Sequence, residues 1–163
     1  MAMNSAHEFL ANLVLIITAT TLFYVAINDL REFKIRNEIV ITLACLYGIY
    51  AFLSGEWVDA WRNLALAIFM FVFLLIFYAR GWLGGGDVKI LTVGFLWVGD
   101  RYAMPFSVFL LIFACIHVAA ARLGWVRVRY AGGTTLLAFA PAVAGALIGV
   151  FALKWSGYWI LQP

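Results

Sequence analysis

The stretch FLANLVLIITATTLFYVAI, Phe9–Ile27, contains 19 residues and no charged side chain. A helix rises about 1.5 Å per residue, so this run covers about 28 Å, close to the hydrocarbon thickness of a bilayer. The preceding residues, MAMNSAHE, carry no Lys or Arg, whereas a secretory signal peptide begins with a positively charged segment. We therefore expect a retained first membrane-spanning helix.

The rest of the chain has the same apolar character. Its 163 residues are 66% hydrophobic and 12% charged, whereas a soluble domain is about half apolar and about a quarter charged. Five further apolar segments follow: Ile39–Leu53, Leu64–Ala79, Val88–Val98, Tyr102–Ala121 and Thr134–Leu153. Their connections are short, so the sequence predicts an all-α, polytopic membrane protein. We expect a single domain over residues 1–163, folded as a compact bundle of six transmembrane helices.

Basic residues are concentrated in alternate connections. The first, third and fifth connections hold Arg31, Lys34, Arg36, Arg80, Arg122, Arg127 and Arg129. The others hold Arg62 and Arg101, offset by Glu56, Asp59 and Asp100. Cytoplasmic loops collect Lys and Arg, so we expect the odd connections inside and both termini outside. The seven tryptophans, Trp97 among them, lie near predicted segment ends, where amphipathic rings prefer to sit.

This orientation places two carboxylates at one membrane face. Asp29 ends the first segment and Asp87 begins the fourth, so both are expected at the same depth. Two close carboxylates cannot easily both ionise, and they then share a proton. One can act as a general base on water while the other donates to a peptide carbonyl oxygen. The alternative is that both are ordinary loop charges paired with nearby Arg or Lys.

Two short motifs surround these aspartates. GGGDVKI contains Gly-x-Gly-Asp at Gly84–Asp87, and NDLREFKIRN (residues 28–37) places an Asp before basic residues and an Ile-x-Asn. Together with six spans, they resemble the type IV prepilin peptidases, membrane aspartic proteases of the GxGD type. The short length is similar to the minimal members that serve tight-adherence (Flp-type) pili. The resemblance covers essentially the whole chain.

The resemblance implies roles for individual residues. Asp29 and Asp87 would be the catalytic pair. Gly84 and Gly86 match the glycines of the second motif, and Lys89 matches its usual lysine, which we expect to reach toward the membrane surface. The glycine run, Gly84, Gly85 and Gly86, is expected to let a substrate backbone approach Asp87, because glycine has no side chain and tolerates positive φ. The alternative for this run is a tight turn with close helix packing.

Three further positions are candidates. Asn37 matches the asparagine that closes the first motif; that motif often has Pro before it, whereas Arg36 stands here. Pro141-Ala142-Val143 is similar to the Pro-Ala-Leu near the active site of related intramembrane proteases, although a helix kink is the other interpretation of Pro141. His117 lies about one turn from the inner end of the fifth segment. It is either a buried histidine or a neighbour of the active site.

Helix ends suggest how the aspartates differ. Asp87 begins a helix, where the dipole favours an anion, and Asp29 ends one, where it does not. On this argument Asp87 is the ionised base and Asp29 holds the proton, although the charges of Arg31, Lys34 and Lys89 could reverse the assignment.

The resemblance implies an intramembrane aspartic endopeptidase of the bacterial inner membrane. It would remove the short basic leader of type IV (Flp-type) prepilins, or of pseudopilins, at the cytoplasmic face, without a cofactor. Larger members carry a cysteine-rich cytoplasmic insertion and an N-methyltransferase activity. This chain has only Cys45 and Cys115, inside apolar runs and without metal-ligand spacing, so no zinc insertion, metal site or methylation is expected.

Other functional classes fit parts of the sequence. A small proton- or cation-coupled transporter would place the two carboxylates near the bilayer midplane. A non-enzymatic scaffold of a secretion complex would not need them at all. Membrane lipid is the expected surrounding. The net charge of +3 is small and scattered, so nucleic acid is not an expected partner.

Overall fold

The computed structural model describes residues 2–55, 57–126, 129–131, 134–136 and 138–156. It contains five helices: α1 Ala2–Glu32, α2 Asn37–Ser54, α3 Trp57–Ala79, α4 Gly85–Arg122 and α5 Ala140–Trp155. Two three-residue strands, β1 Arg129–Ala131 and β2 Thr134–Leu136, pair antiparallel between α4 and α5. The predicted helical class is confirmed. Four helices, α1 to α4, are long and apolar enough to cross a membrane.

Helix α4 contains both the fourth and the fifth predicted segments. Gly99 divides it, with φ 62° and ψ −170°, a backbone conformation that essentially only glycine adopts. The rings of Phe95 and Phe106 lie 5.2 Å apart, whereas eleven residues of straight helix would separate them by about 16 Å. The chain therefore folds back at Gly99. We call residues 85–98 the first arm of α4 and residues 100–122 the second arm.

The sixth predicted segment is wrong at its beginning. Thr134–Leu136 form β2, and the helix begins only at Ala140. Pro141 lies in the first turn of α5, where its missing N–H costs nothing because those N–H groups have no partner inside the helix. Pro141 thus starts the helix and does not kink it.

The core lies between the first arm of α4 and its neighbours. Trp97 is 1% exposed, and its ring contacts Tyr47, Tyr50 and Phe151 at centroid distances of 5.4–5.6 Å. Its indole N–H donates to the Leu43 carbonyl oxygen at 3.0 Å, which satisfies the buried donor. The prediction that Trp97 marks a membrane interface is therefore wrong. It joins α2, α4 and α5 in the centre of the bundle.

Small residues let α5 approach the second arm of α4. A Cβ added at Gly145 would lie 3.1 Å from the Phe113 ring, and one at Gly149 would lie 3.1 Å from the Phe109 ring. Large apolar side chains cover the outside of α1 to α4, among them Phe69 and Ile41, each more than 60% exposed. Such an exterior suits lipid, in which apolar side chains need no burial.

Candidate active site

Asp29 lies in the last turn of α1 and is only 4% exposed. Its Oδ2 accepts a hydrogen bond at 3.0 Å from the backbone N–H of Ala140, the first residue of α5. The first N–H groups of a helix have no intrahelical acceptor, and the helix dipole is positive there. Asp29 therefore caps α5 from 111 positions away in the chain.

Asp87 lies in the first turn of α4, where Gly84 is the N-cap. Its Oδ2 accepts a hydrogen bond at 3.2 Å from the Gly84 N–H. The side chain is half-buried. The local sequence explains this conformation, since an acidic side chain three residues after the cap reaches back to the cap's N–H.

The two aspartates are close enough for their charges to interact. They come together where α1 ends and where α4 and α5 begin. Two carboxylates near each other disfavour double ionisation, and a pair that held one proton would suit acid–base attack by water on a peptide bond.

The dipole argument does not distinguish the two carboxylates. Asp87 lies at the N-terminal end of α4, as expected. Asp29 ends α1 but also caps the N-terminal end of α5. Both carboxylates therefore lie at a positive helix end, and the helix dipoles do not assign the proton to either one.

The glycine run has no unusual backbone angles, and only Gly84 has a neighbour too close for an added Cβ. Gly84 has φ −74° and ψ 149°, and none of Gly84, Gly85 and Gly86 has a positive φ. A Cβ at Gly84 would lie 3.0 Å from Asp87 Oδ2, and a Cβ at Gly86 would lie 3.4 Å from Ile35. A Cβ at Gly85 would meet only ordinary contact, 3.5 Å from the Tyr78 ring. The positive φ in this region belongs to Gly81 instead.

Lys89 and Asn37 connect the two motifs directly. The Lys89 ammonium donates to Asn37 Oδ1 at 2.8 Å, across 52 positions of sequence. Asn37 is the first residue of α2, and Arg36 is its N-cap with φ −76° and ψ 140°. These are polyproline angles, which proline itself would adopt. The replacement of the usual Pro by Arg36 therefore leaves the turn in the expected conformation.

His117 lies on the second arm of α4 beside the pair. It interacts electrostatically with Asp29 and donates to the backbone carbonyl of Ala138. Its Nε2 is buried and has no hydrogen-bond partner among the described residues. Residues 138–140 thus contact both His117 and Asp29, and Pro141 follows immediately.

Sequence reasoning missed two features of the site. One is the backbone donor at Ala140, for which Pro141 was the available signal, because Pro favours the first turn of a helix. The other is Phe33, whose φ of 52° is unusual for a residue with a side chain. Its N–H still donates to the Asp29 carbonyl oxygen at 2.9 Å, as in a helix, and α1 ends at the residue before it, Glu32.

Cys45 and Cys115 are exposed and form no disulfide. Within the described ranges, no three His, Cys, Asp or Glu side chains group together in a way that could hold a metal ion.

Comparison with known proteins places this site in a family. Searches of curated proteins and of solved structures found no significant match. The sequence model of the type IV leader peptidase family matches residues 16–123, about two thirds of the chain. The matched range contains both Asp29 and Asp87, together with the motifs around them. This chain therefore belongs to the type IV leader peptidase family.

Proposed function

We propose that this chain is a membrane aspartic endopeptidase that removes the short basic leader of type IV prepilins. Flp-type prepilins are the proposed substrates, with pseudopilins as related ones. The observation that supports this most strongly is the electrostatic interaction between Asp29 and Asp87. These are the aspartates of the two motifs, and they interact at one end of the bundle although they are 58 positions apart.

In the proposed reaction the ionised carboxylate takes a proton from a water molecule. The water oxygen attacks the carbonyl carbon of the scissile peptide bond, while the protonated carboxyl group donates to the carbonyl oxygen. The tetrahedral intermediate then collapses as the leaving amine gains a proton from the pair. The hydrogen bonds from Ala140 to Asp29 and from Gly84 to Asp87 hold both carboxylates in place.

We propose that the site faces the cytoplasm, in the bacterial inner membrane. The two arms of α4 would each cross the bilayer, which gives six crossings and places both termini outside. Arg31 and Lys34, beside Asp29, and Arg80, before Asp87, support this orientation. A prepilin would keep its leader inside while its apolar helix rests in the membrane. The chain would act as one domain that cleaves without methylating.

The position of the aspartates weighs against a proton-coupled transporter. Such a protein needs ionisable groups along a path near the bilayer midplane. Asp29 lies in the last turn of one helix and Asp87 in the first turn of another. Both are therefore at an end of the bundle and not near its middle.

Co-expression with a candidate prepilin tests the proposal. Cleavage is measured as the shift of the pilin band and by mass spectrometry of its N-terminus. Asp29→Asn and Asp87→Asn should each reduce cleavage by about 100-fold or more, since acid–base groups typically contribute that much. Asp59→Asn is the matched control, because Asp59 is a half-buried aspartate outside both motifs that pairs with Arg62 on α3.

Three outcomes distinguish the alternatives. Wild-type cleavage by either site variant, with Asp59→Asn also active, would exclude the aspartate pair as the catalytic group. A scaffold predicts that all three variants still support pilus assembly. A methylated product N-terminus would contradict the proposed lack of methyltransferase activity.

A further inference from the structure

A second polar site lies at the end of the bundle opposite the aspartate pair. A cavity of about 480 Å³ opens there between the end of α2, the beginning of α3, the turn of α4 near Gly99 and the end of α5. The aspartate pair lies instead where α4 and α5 begin. This cavity is therefore separated from the proposed active site by the length of the helices.

Arg62 is the structural centre of this cavity. Its guanidinium pairs with Asp59 at 3.5 Å and with Asp100, which ties the beginning of α3 to the turn of α4. Asn63, the next residue, donates to the Tyr47 hydroxyl at 2.8 Å. These contacts fix the wall of the cavity and pair both carboxylates that line it with Arg62.

The remaining charge on the cavity wall is positive. Three basic residues and two acidic ones line it, which leaves an excess of one positive charge. Arg101 is exposed and forms no ion pair with any part of the chain that the structure describes. The Lys154 ammonium lies over the rings of Tyr50 and Tyr102, at 5.2 and 5.0 Å from their centroids. This holds the ammonium beside the cavity in a defined place.

The surroundings indicate a ligand that comes from the membrane. Trp57 and Trp61, in the first two turns of α3, are more than half exposed. Exposed tryptophans at the end of an apolar helix are typical of the headgroup region of a bilayer. If α3 crosses the bilayer, the cavity opens at the depth where the phosphates of lipids lie, and its excess positive charge matches a phosphodiester.

We infer that this cavity binds the phosphodiester headgroup of a membrane phospholipid, with Arg101 and Lys154 contacting the phosphate. The inference does not depend on the proposed peptidase activity, because none of these residues contacts the aspartate pair. It assigns to the far end of the bundle a lipid site that anchors the turn at Gly99.

Lipid titration of the purified full-length chain, followed by native mass spectrometry, tests the inference. The probes are dioleoyl phosphatidylglycerol, dioleoylglycerol with the same acyl chains but no phosphate, and inorganic phosphate. Phosphatidylglycerol should bind, and dioleoylglycerol should bind at least about tenfold more weakly. Inorganic phosphate at equal concentration should neither bind nor displace the lipid, because it lacks the apolar part.

Variants separate the cavity from general charge attraction. Arg101→Gln with Lys154→Gln should weaken phosphatidylglycerol binding about tenfold. Arg122→Gln is the matched control, since Arg122 is an exposed arginine at the other end of α4, and it should retain wild-type affinity. If the double variant does not fold, Arg101→Gln alone and the charge-conserving Lys154→Arg serve in its place. Arg101→Gln should bind phosphatidylglycerol more weakly, and Lys154→Arg should bind it with wild-type affinity.

Several results would overturn the inference. Equal binding of dioleoylglycerol would show that acyl chains alone determine affinity. Displacement by inorganic phosphate would identify a soluble anion as the ligand. An equal loss in Arg122→Gln and in the cavity variants would show unspecific attraction between a basic protein and an acidic lipid.

Discussion

Replacing Gly84 by Ala should impair Asp87 without unfolding the protein. The backbone angles of Gly84, φ −74° and ψ 149°, are allowed for alanine, so the chain itself is not strained. The added Cβ would lie 3.0 Å from Asp87 Oδ2. A normal contact needs roughly 0.4 Å more, and the carboxylate oxygen is the atom that can move.

The size of the effect follows from that displacement. The Gly84 nitrogen lies 3.2 Å from the same oxygen. If Asp87 Oδ2 moves about 0.4 Å away from Gly84, the distance between these two atoms becomes about 3.6 Å, which is too long for a hydrogen bond. A hydrogen bond to a charged group contributes about 1.5–3 kcal/mol. Its loss therefore corresponds to a decrease of roughly 10- to 100-fold in kcat/KM.

The assay is prepilin cleavage in detergent micelles, with thermal unfolding measured on the same samples. Gly85→Ala is the matched control, because its Cβ would meet only the Tyr78 ring at an ordinary 3.5 Å. We expect Gly85→Ala to cleave at close to the wild-type rate and Gly84→Ala to cleave 10- to 100-fold more slowly. Equal activity of the two variants, with both folded, would refute the assignment of Gly84 to the support of Asp87.

Three further predictions concern the fold around the site. Asp29→Asn and Asp29→Ala should both abolish cleavage. In thermal unfolding only Asp29→Ala should lose about 1–3 kcal/mol of stability, because the amide oxygen of Asp29→Asn can still accept from the Ala140 N–H. Equal unfolding temperatures of the two variants would contradict the capping role. Arg36→Pro should raise the unfolding free energy by about 0.4–1 kcal/mol and keep activity, since Arg36 already has polyproline angles. Lower stability would show that proline does not fit the backbone at this position. Gly99→Ala should cost about 3 kcal/mol or more, because its backbone angles are nearly unique to glycine and a Cβ would overlap the Asn63 amide. Adding Asn63→Ala should restore only part of that loss, and full restoration would show that the backbone is not strained.

The helices could be predicted from sequence because their signal is local. Runs such as Phe9–Ile27 lack charge over a length that suits only a membrane span or a buried helix. The shared position of Asp29 and Asp87 could also be predicted, since helices that alternate in direction bring the end of the first to the beginning of the fourth. Both inferences need only segment lengths and chain order.

The remaining features depend on tertiary contacts that a linear pattern does not contain. Trp97 lies at a segment end like the other tryptophans, yet it packs in the core because the chain reverses only two residues later, at Gly99. Lys89 was expected to extend toward the membrane surface, and its hydrogen bond to Asn37, 52 positions away in the chain, could not be foreseen from the sequence. The hydrogen bond from the Ala140 N–H to Asp29 connects the first and the last helix, so no short stretch of sequence could indicate it.

The hydrogen bond between Ala140 and Asp29 limits how far this chain can be truncated. The range that identifies the family ends at residue 123, and a fragment cut there would still contain both aspartates. It would lack α5, however, and so leave the buried carboxylate of Asp29 without the donor that holds it. Such a fragment should carry every recognisable motif and yet fail as a peptidase. We therefore expect the smallest working unit of this protein to be larger than the region by which it is recognised.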